Sequence, residues 1–156
     1  MVNLYDSYFM LIALNQAKIA FNKNEVPIGA VVVSNNEIIA CSYNQVKLNI
    51  DITAHAEVLC IQNAAKRLGT TNLNNCYLYT TLEPCVMCAQ VISFSKIRGL
   101  YFGAYDIKFG AVENGVRLFN FGISNYIPEI YGGINQKDSS FLMKSFFKKI
   151  RKNKNY

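Results

Sequence analysis

The stretch CYLYTTLEPCVMC, residues 76–88, joins two kinds of secondary structure with almost nothing between them. The aromatic and β-branched residues of 76–82 predict a β-strand. Pro84 follows at once, and proline is favoured in the first turn of a helix, so a helix is predicted over roughly 85–94. A strand that runs directly into a helix is typical of a layered α/β domain.

The segments on either side of this stretch continue the alternation of strands and helices. An amphipathic helix is predicted first, then a hairpin around residues 34–36, and then a helix with Asp51 or Thr53 as its N-cap and Gly69 as its stop signal. Pro128 places the last predicted strand at a sheet edge. The predicted ranges are helices over 5–21, 53–68 and 139–150, the hairpin within 27–43, and strands over 97–104 and 126–134.

Length and composition indicate a single globular domain over residues 1–156. The chain is 51% hydrophobic and 17% charged, which is typical of a folded protein. No apolar run reaches the length of a membrane span. The N-terminus lacks a basic flank and carries Asp6, unlike a secretory signal peptide. We therefore expect a cytoplasmic protein without membrane association.

The net charge of +6 favours a polyanionic partner without identifying one. The most basic segment is the C-terminal tail. Its cations can contact nucleic acid, or can simply stabilise a solvated helix end through the helix dipole. The candidate cations in this tail are Lys148, Lys149, Arg151 and Lys152.

Three residues have the types and spacing of a metal site. His55 is the single histidine of the chain, and Cys85 and Cys88 are three positions apart, a spacing that puts both sulfurs on one helix face. A helix N-terminus also stabilises thiolates. A His/Cys/Cys set suits Zn²⁺ in tetrahedral geometry and leaves one position open, as in a catalytic site.

Glu57 lies two residues after His55 and is predicted to be the proton carrier. A carboxylate near a zinc-activated water can accept its proton and pass it to a ring nitrogen and to the leaving amine. The pattern His-x-Glu followed by Pro-Cys-x-x-Cys is the signature of zinc-dependent nucleobase deaminases. The chemistry predicted is hydrolytic deamination, with one zinc per subunit.

Two other interpretations of the cysteines stay open at this point. A Cys-x-x-Cys pair also occurs in redox proteins, and another cysteine could close a structural zinc site. The remaining cysteines lie in apolar contexts that indicate buried hydrophobic side chains. They are Cys41, Cys60 and Cys76.

The chain resembles the bacterial tRNA adenosine deaminases of the cytidine deaminase-like superfamily from Asp6 to Phe147. The resemblance rests on five stretches, EVPIGAVVV, TAHAEV, TLEPCVMCA, YFGAYDIKFGA and SFF. It implies a three-layer α/β/α fold with a five-stranded mixed sheet, and a homodimer whose interface borders each active site. It also implies the substrate, which is adenosine at the first anticodon position in the anticodon stem-loop of a tRNA, converted to inosine.

The resemblance also implies roles for single residues. His55, Cys85 and Cys88 correspond to zinc ligands and Glu57 to the proton carrier. The residues that correspond to substrate contacts are Asn44, the backbone of Ala56, Asp106 and Lys108. From the residues alone, Asn44 also suits a turn, and the loop with Asp106 and Lys108 could simply be exposed.

The chain departs from the family pattern at Gln45 and Val46, at Ile52 where the family has proline, and in residues 120–126, which lack the family's histidines. These departures concern RNA contacts rather than the zinc motif. Deamination of a free base such as cytosine or guanine is therefore the alternative function. A third possible function is a noncatalytic interaction module whose fold is stabilised by zinc.

Overall fold

A mixed five-stranded sheet forms the centre of the protein. The computed structural model describes residues 4–153, and the ends of the predicted 1–156 domain fall outside this range. The sheet order is β2-β1-β3-β4-β5, antiparallel on the β2-β1-β3 side and parallel from β3 to β5. The strands are β1 (Gly29–Ser34), β2 (Glu37–Tyr43), β3 (Cys76–Leu82), β4 (Gly99–Ala104) and β5 (Glu129–Gly132).

Helices cover both faces of this sheet. The first and last helices contact one face and each other, whereas α3 and α4 lie on the opposite face and contact one another. The helices are α1 (Leu4–Asn22), α2 (Val46–Asn49), α3 (Ala56–Leu68), α4 (Val86–Phe94) and α5 (Gln136–Asn153), and a 3-10 turn spans Leu118–Asn120. The predicted three-layer α/β/α fold is confirmed.

The apolar strand β1 shows why the sequence folds this way. Ala30 and Val32 point into the core beneath α3 and α4, and Val31 and Val33 point into the core beneath α1. Successive side chains of a strand face opposite sides of the sheet. A strand covered by helices on both sides therefore needs a continuous apolar run rather than an alternating one.

The predicted hairpin is present, and its turn consists of Asn35 and Asn36, both with positive φ (50° and 62°). Asparagine tolerates this conformation better than most residues, and two such residues in a row make the turn that fits the twist of a hairpin. β5 lies at the sheet edge as Pro128 predicted.

Three helix starts differ from the predictions, and the last helix begins at Gln136 rather than at residue 139. The helix expected to be capped by Asp51 or Thr53 begins at Ala56 with His55 as N-cap, and the helix expected from Cys85 begins at Val86 with Cys85 as N-cap. Asp51 instead closes a local turn, because its Oδ1 accepts hydrogen bonds from the N–H and hydroxyl of Thr53 (2.8 and 2.7 Å). Within residues 4–153, no helix has the length and apolar content needed to cross a membrane.

Candidate active site

The N-termini of α3 and α4 meet at the carboxyl end of β3. β3 ends at Leu82, and the chain passes through Glu83 and Pro84 to Cys85, the N-cap of α4. His55 is the N-cap of α3. Because both helices lie on the same face of the sheet and start at the same end, residues 30 positions apart in sequence become neighbours.

His55, Cys85 and Cys88 form a compact group of metal-ligating side chains. The Nδ1 atom of His55 lies 3.7 Å from Sγ of Cys85 and 3.4 Å from Sγ of Cys88, and the three ligand atoms all lie within 4.8 Å of one another. Zinc binds sulfur at about 2.3 Å and nitrogen at about 2.0–2.1 Å. Ligand atoms at these separations, of these two types, fit a zinc ion between them.

The remaining cysteines are not part of this group. Cys60 and Cys76 are buried in the core beneath α3 and α4, and Cys41 is partly buried against the opposite core. Sγ of Cys60 donates to the carbonyl of Ala40 at 3.3 Å. Among the described residues no fourth cysteine or histidine joins the three candidate ligands, so a zinc closed by four such protein ligands is not supported.

Glu57 lies beside the ligand group and is almost fully buried, with 3% of its surface exposed. Its Oε2 atom has no hydrogen-bond partner within the described part of the chain. Burial raises the pKa of Glu57 to about 6. A buried carboxyl oxygen without a partner is costly, so the presence of this one next to three metal-ligating atoms is best explained by proton chemistry there.

The two thiols differ in charge. Hydrogen bonding from Cys88 and from His55 lowers the pKa of Cys85 to about 4, against the opposing effect of burial. The same hydrogen bond to Cys85, together with burial, raises the pKa of Cys88. The hydrogen bond to Cys85 also raises the pKa of His55. One thiolate is thus stabilised by its neighbours, and thiolate is the form of cysteine that binds metal.

His55, Glu57 and Cys85 line a cleft of about 910 Å³. Its walls come from four parts of the chain: the segment before β1, the ends of β3 and β4, the loop after β4, and one side of α5. Besides His55, Glu57 and Cys85, the cleft is lined by Val26, Ile28, Leu82, Glu83, Ala104, Tyr105, Asp106, Ile107, Lys108, Phe109, Ser140, Met143, Lys144, Phe147 and Arg151.

Of the four predicted substrate contacts, Asp106 and Lys108 line the cleft. Oδ1 of Asp106 accepts hydrogen bonds from the backbone N–H groups of Lys108 (3.0 Å) and Phe109 (2.9 Å). The ammonium of Lys108 lies 4.9 Å from the centre of the Phe109 ring. This segment therefore presents a cation and an aromatic side chain that is 63% exposed on one wall.

Asn44 and Ala56 are both buried and are not among the residues that line the cleft. The backbone N–H of Asn44 donates to the carbonyl of Ile28, a cleft residue, at 3.0 Å. Its side-chain amide donates to Oε2 of Glu25 at 3.2 Å. Ala56 lies between His55 and Glu57 as the first residue of α3.

The structure divides the basic tail. Arg151 lines the cleft, whereas Lys149 points to the end of α1. Its ammonium donates to Oδ1 of Asn24, just after α1 (2.9 Å), and lies 5.1 Å from the centre of the Phe21 ring of α1. Lys148 and Lys152 are exposed.

The sequence interpretation missed Lys144 and Phe147, which line the cleft, and the buried Glu83. The spacing 140, 143, 144, 147 and 151 is helical and could have shown that these residues share one face of α5. For Glu83, the sequence gives its place next to Pro84 but not its partners.

Comparison with known proteins agrees with this geometry. Residues 4–104 match the family described as the cytidine and deoxycytidylate deaminase zinc-binding region. The chain belongs to this zinc-dependent deaminase family. A tRNA-specific adenosine deaminase from Rickettsia felis is 49% identical to this deaminase over 141 residues, which cover 89% of this chain and 98% of the relative.

Two solved structures are also similar to this deaminase. One comes from a study of A-to-I editing by tRNA:A34 deaminases at the wobble position of transfer RNA. It has a TM-score of 0.85 and 46% identity and covers 86% of this chain and 98% of its own. A guanine deaminase from Bacillus subtilis has a TM-score of 0.61 and 32% identity, over 76% of this chain and 70% of its own.

Proposed function

We propose that this deaminase converts adenosine to inosine at the first anticodon position of a tRNA. The overall reaction consumes one water and releases one ammonia. The observation that carries the proposal is the buried Oε2 of Glu57, without a partner in the described chain, beside the His55, Cys85 and Cys88 group in a cleft that also exposes basic side chains. The similarity to tRNA deaminases over nearly the whole chain supports the choice of substrate.

In this proposal His55, Cys85 and Cys88 hold one zinc ion per subunit. Their atom types and separations fit the ion, and Cys85 already favours its thiolate form. Bound zinc supplies the Lewis acidity that makes water a nucleophile near neutral pH.

Glu57 is the proposed acid–base residue. Its carboxylate accepts a proton from the attacking water and delivers it to the adenine ring. It then transfers the second proton of that water, from the newly added hydroxyl, to the departing amine. Burial raises the pKa of Glu57 to about 6, which brings it close to neutral pH, where an acid–base group works best.

The flipped base would be recognised at the floor of the cleft. We assign this role to Asn44 and to the backbone of Ala56, which are buried directly beside the cleft residues Ile28 and His55. The amide orientation of Asn44 is fixed by Glu25. The first N–H groups of a helix have no partner within the helix, so the start of α3 offers donors next to His55. Asp106 and Lys108 would contact the nucleotides that flank the base.

Two cations on α5 are assigned to the RNA backbone. Lys144 and Arg151 line the cleft together with Phe147, which is 43% exposed. An aromatic ring between two cations suits single-stranded RNA, because bases stack on rings and phosphates pair with cations. Lys149 is engaged with Asn24, so we exclude it from this set.

We further propose that residues 1–156 act as a single domain in a cytoplasmic homodimer. Large apolar side chains stay exposed in the described chain, among them Ile50 (95%) and Ile52 (84%), and exposed apolar patches often mark a protein interface. A tRNA substrate implies a cytoplasmic location. Light scattering after gel filtration should give twice the mass of the 17.6 kDa chain.

A single assay tests the proposed reaction. Inosine formation in an anticodon stem-loop that carries adenosine at the first anticodon position is measured beside ammonia release from guanine and cytosine. We expect inosine from the stem-loop. The similarity to a guanine deaminase makes deamination of a free base the second candidate. Efficient release of ammonia from guanine, with the stem-loop unchanged, would replace the first proposal by the second.

A further inference from the structure

Glu83 has more hydrogen-bond partners than a residue at a strand end requires. Its side chain is 2% exposed and lies directly after β3, two positions before Cys85. Oε1 accepts from the backbone N–H groups of Val112 (3.2 Å), Glu113 (2.8 Å) and Asn114 (2.8 Å). Oε2 accepts from the backbone N–H of Asp106 (3.0 Å) and from the side-chain amide of Asn114 (2.7 Å).

These donors come from both ends of one loop. Asp106 is the second residue after β4, and residues 112–114 end the loop. The residues between them include Ile107, Lys108 and Phe109, which form one wall of the cleft. A single buried carboxylate therefore closes this loop, which we call the rim loop (residues 105–114).

The chain passes very close to the carboxylate on its way round the loop. A Cβ atom placed on Gly110 would lie 2.5 Å from Cδ of Glu83 and 2.4 Å from the carbonyl oxygen of Asp106. Glycine at position 110 is thus required for the loop to wrap around Glu83.

The rim loop is also tied to the segment that carries the candidate metal ligands. The N–H of Ala111 donates to the carbonyl of Pro84 at 2.9 Å, and Cys85 forms an isolated β-bridge with Gly110. The position of the loop is consequently fixed relative to Cys85.

We propose that Glu83 is a positioning residue that holds the rim loop over the site and thereby sets the affinity for the RNA around the target base. The part that concerns RNA rests on the proposed function. All five hydrogen bonds of Glu83 go to the rim loop, so its effect is expected in KM rather than in kcat.

The replacement Glu83→Gln tests this with almost no change in volume. Glutamine offers one acceptor oxygen, and its NH₂ group would face N–H donors of the loop. We expect faster hydrogen exchange at the amides of 106–114, a KM for the stem-loop raised by about tenfold, and kcat within about threefold of wild type. Zinc content should stay at about one per chain. Glu37→Gln, an exposed glutamate on the hairpin, is the matched control and should change none of these.

Asn114→Ala is the second variant, because it removes one of the five donors and leaves the four backbone donors in place. This variant should raise the amide exchange rates of residues 106–114 and the KM for the stem-loop by smaller factors than Glu83→Gln does. It replaces Glu83→Gln as the test if that variant does not fold. Unchanged exchange at 106–114 in the folded variants would overturn the proposal. So would faster exchange with an unchanged KM, or a large fall in kcat at constant KM and full zinc content.

Hydrogen exchange tests the role of Glu83 independently of the proposed tRNA substrate. If the wild-type enzyme leaves the stem-loop unmodified, the tRNA assignment fails. The exchange rates of residues 106–114 then decide by themselves whether Glu83 holds the loop.

Discussion

The two ends of the sheet carry two cavities of opposite character. At the carboxyl ends of β3 and β4 lies the cleft with Glu57, whose buried Oε2 has no partner in the described chain. At the amino ends of β3, β4 and β5 lies a second cavity of about 480 Å³, lined by tyrosines, asparagines and charged residues. We call it the tyrosine pocket.

Several polar groups that line the tyrosine pocket are paired. The hydroxyl of Tyr79 donates to Asp6 at 3.0 Å, and Arg98 forms an ion pair with Glu129 at 3.8 Å. The rings of Tyr79, Tyr101 and Tyr131 stack with centroids 4.5 and 4.6 Å apart. Polar side chains that are hydrogen-bonded to one another stabilise a fold. A buried polar group without a partner, such as Oε2 of Glu57, is instead available for chemistry.

The largest effect is expected from loss of a candidate metal ligand. Cys88→Ala should reduce the zinc content from about one per chain to near zero and should abolish deamination. The site has three protein ligands, and the two that remain would not hold the ion. Cys76→Ala is the matched control, since Cys76 is equally buried but lies at the opposite end of β3. Metal analysis of the purified variants measures this. Stoichiometric zinc in Cys88→Ala would refute the ligand assignment.

Glu57→Ala should keep zinc and fold but lower kcat by at least about 10²–10⁴-fold, the usual contribution of a positioned acid–base group. Glu129→Ala, a carboxylate of the tyrosine pocket, should leave kcat unchanged. Single-turnover rates with zinc-loaded protein measure both. Near-normal turnover in Glu57→Ala would show that Glu57 is not the acid–base residue, and that the two cavities do not differ in this respect.

Neutralising the cleft cations of α5 should have a smaller effect. The pair Lys144→Gln and Arg151→Gln should raise KM for the stem-loop by about tenfold, with kcat largely unchanged, since phosphate contacts contribute binding rather than chemistry. Each lost contact should also lower the slope of affinity against salt by about one. Lys149→Gln is the control, because this lysine faces α1. An equal loss in Lys149→Gln would show that total charge matters and the cleft face does not.

The smallest effect concerns the tyrosine pocket and alkaline pH. Burial raises the pKa of Tyr101 to about 12, so the folded state holds this proton more tightly than the unfolded state. The associated stability is complete below about pH 10, the pKa of free tyrosine, and is lost as pH rises towards 12. Thermal unfolding should show a Tm that falls as pH rises over this range, and the decrease should be smaller in Tyr101→Phe. An identical fall in the variant would show that other groups cause it.

The sequence by itself determined the elements and the identity of the chemistry. The run from Cys76 to Cys88 predicted a strand and the helix that follows it, and His55, Glu57, Cys85 and Cys88 were recognisable because metal and acid–base chemistry permit few residue types. Local patterns suffice for such features, since strand propensity, helix starts and ligand spacing depend on neighbours in the chain.

Only the tertiary structure decided which side chains share the cleft. Whether Arg151 or Lys149 faces it depends on how α5 packs across the sheet and against α1. The role of Glu83 depends on donors 23 to 31 residues away. Contacts between distant segments arise from packing, and no local pattern in the sequence encodes them.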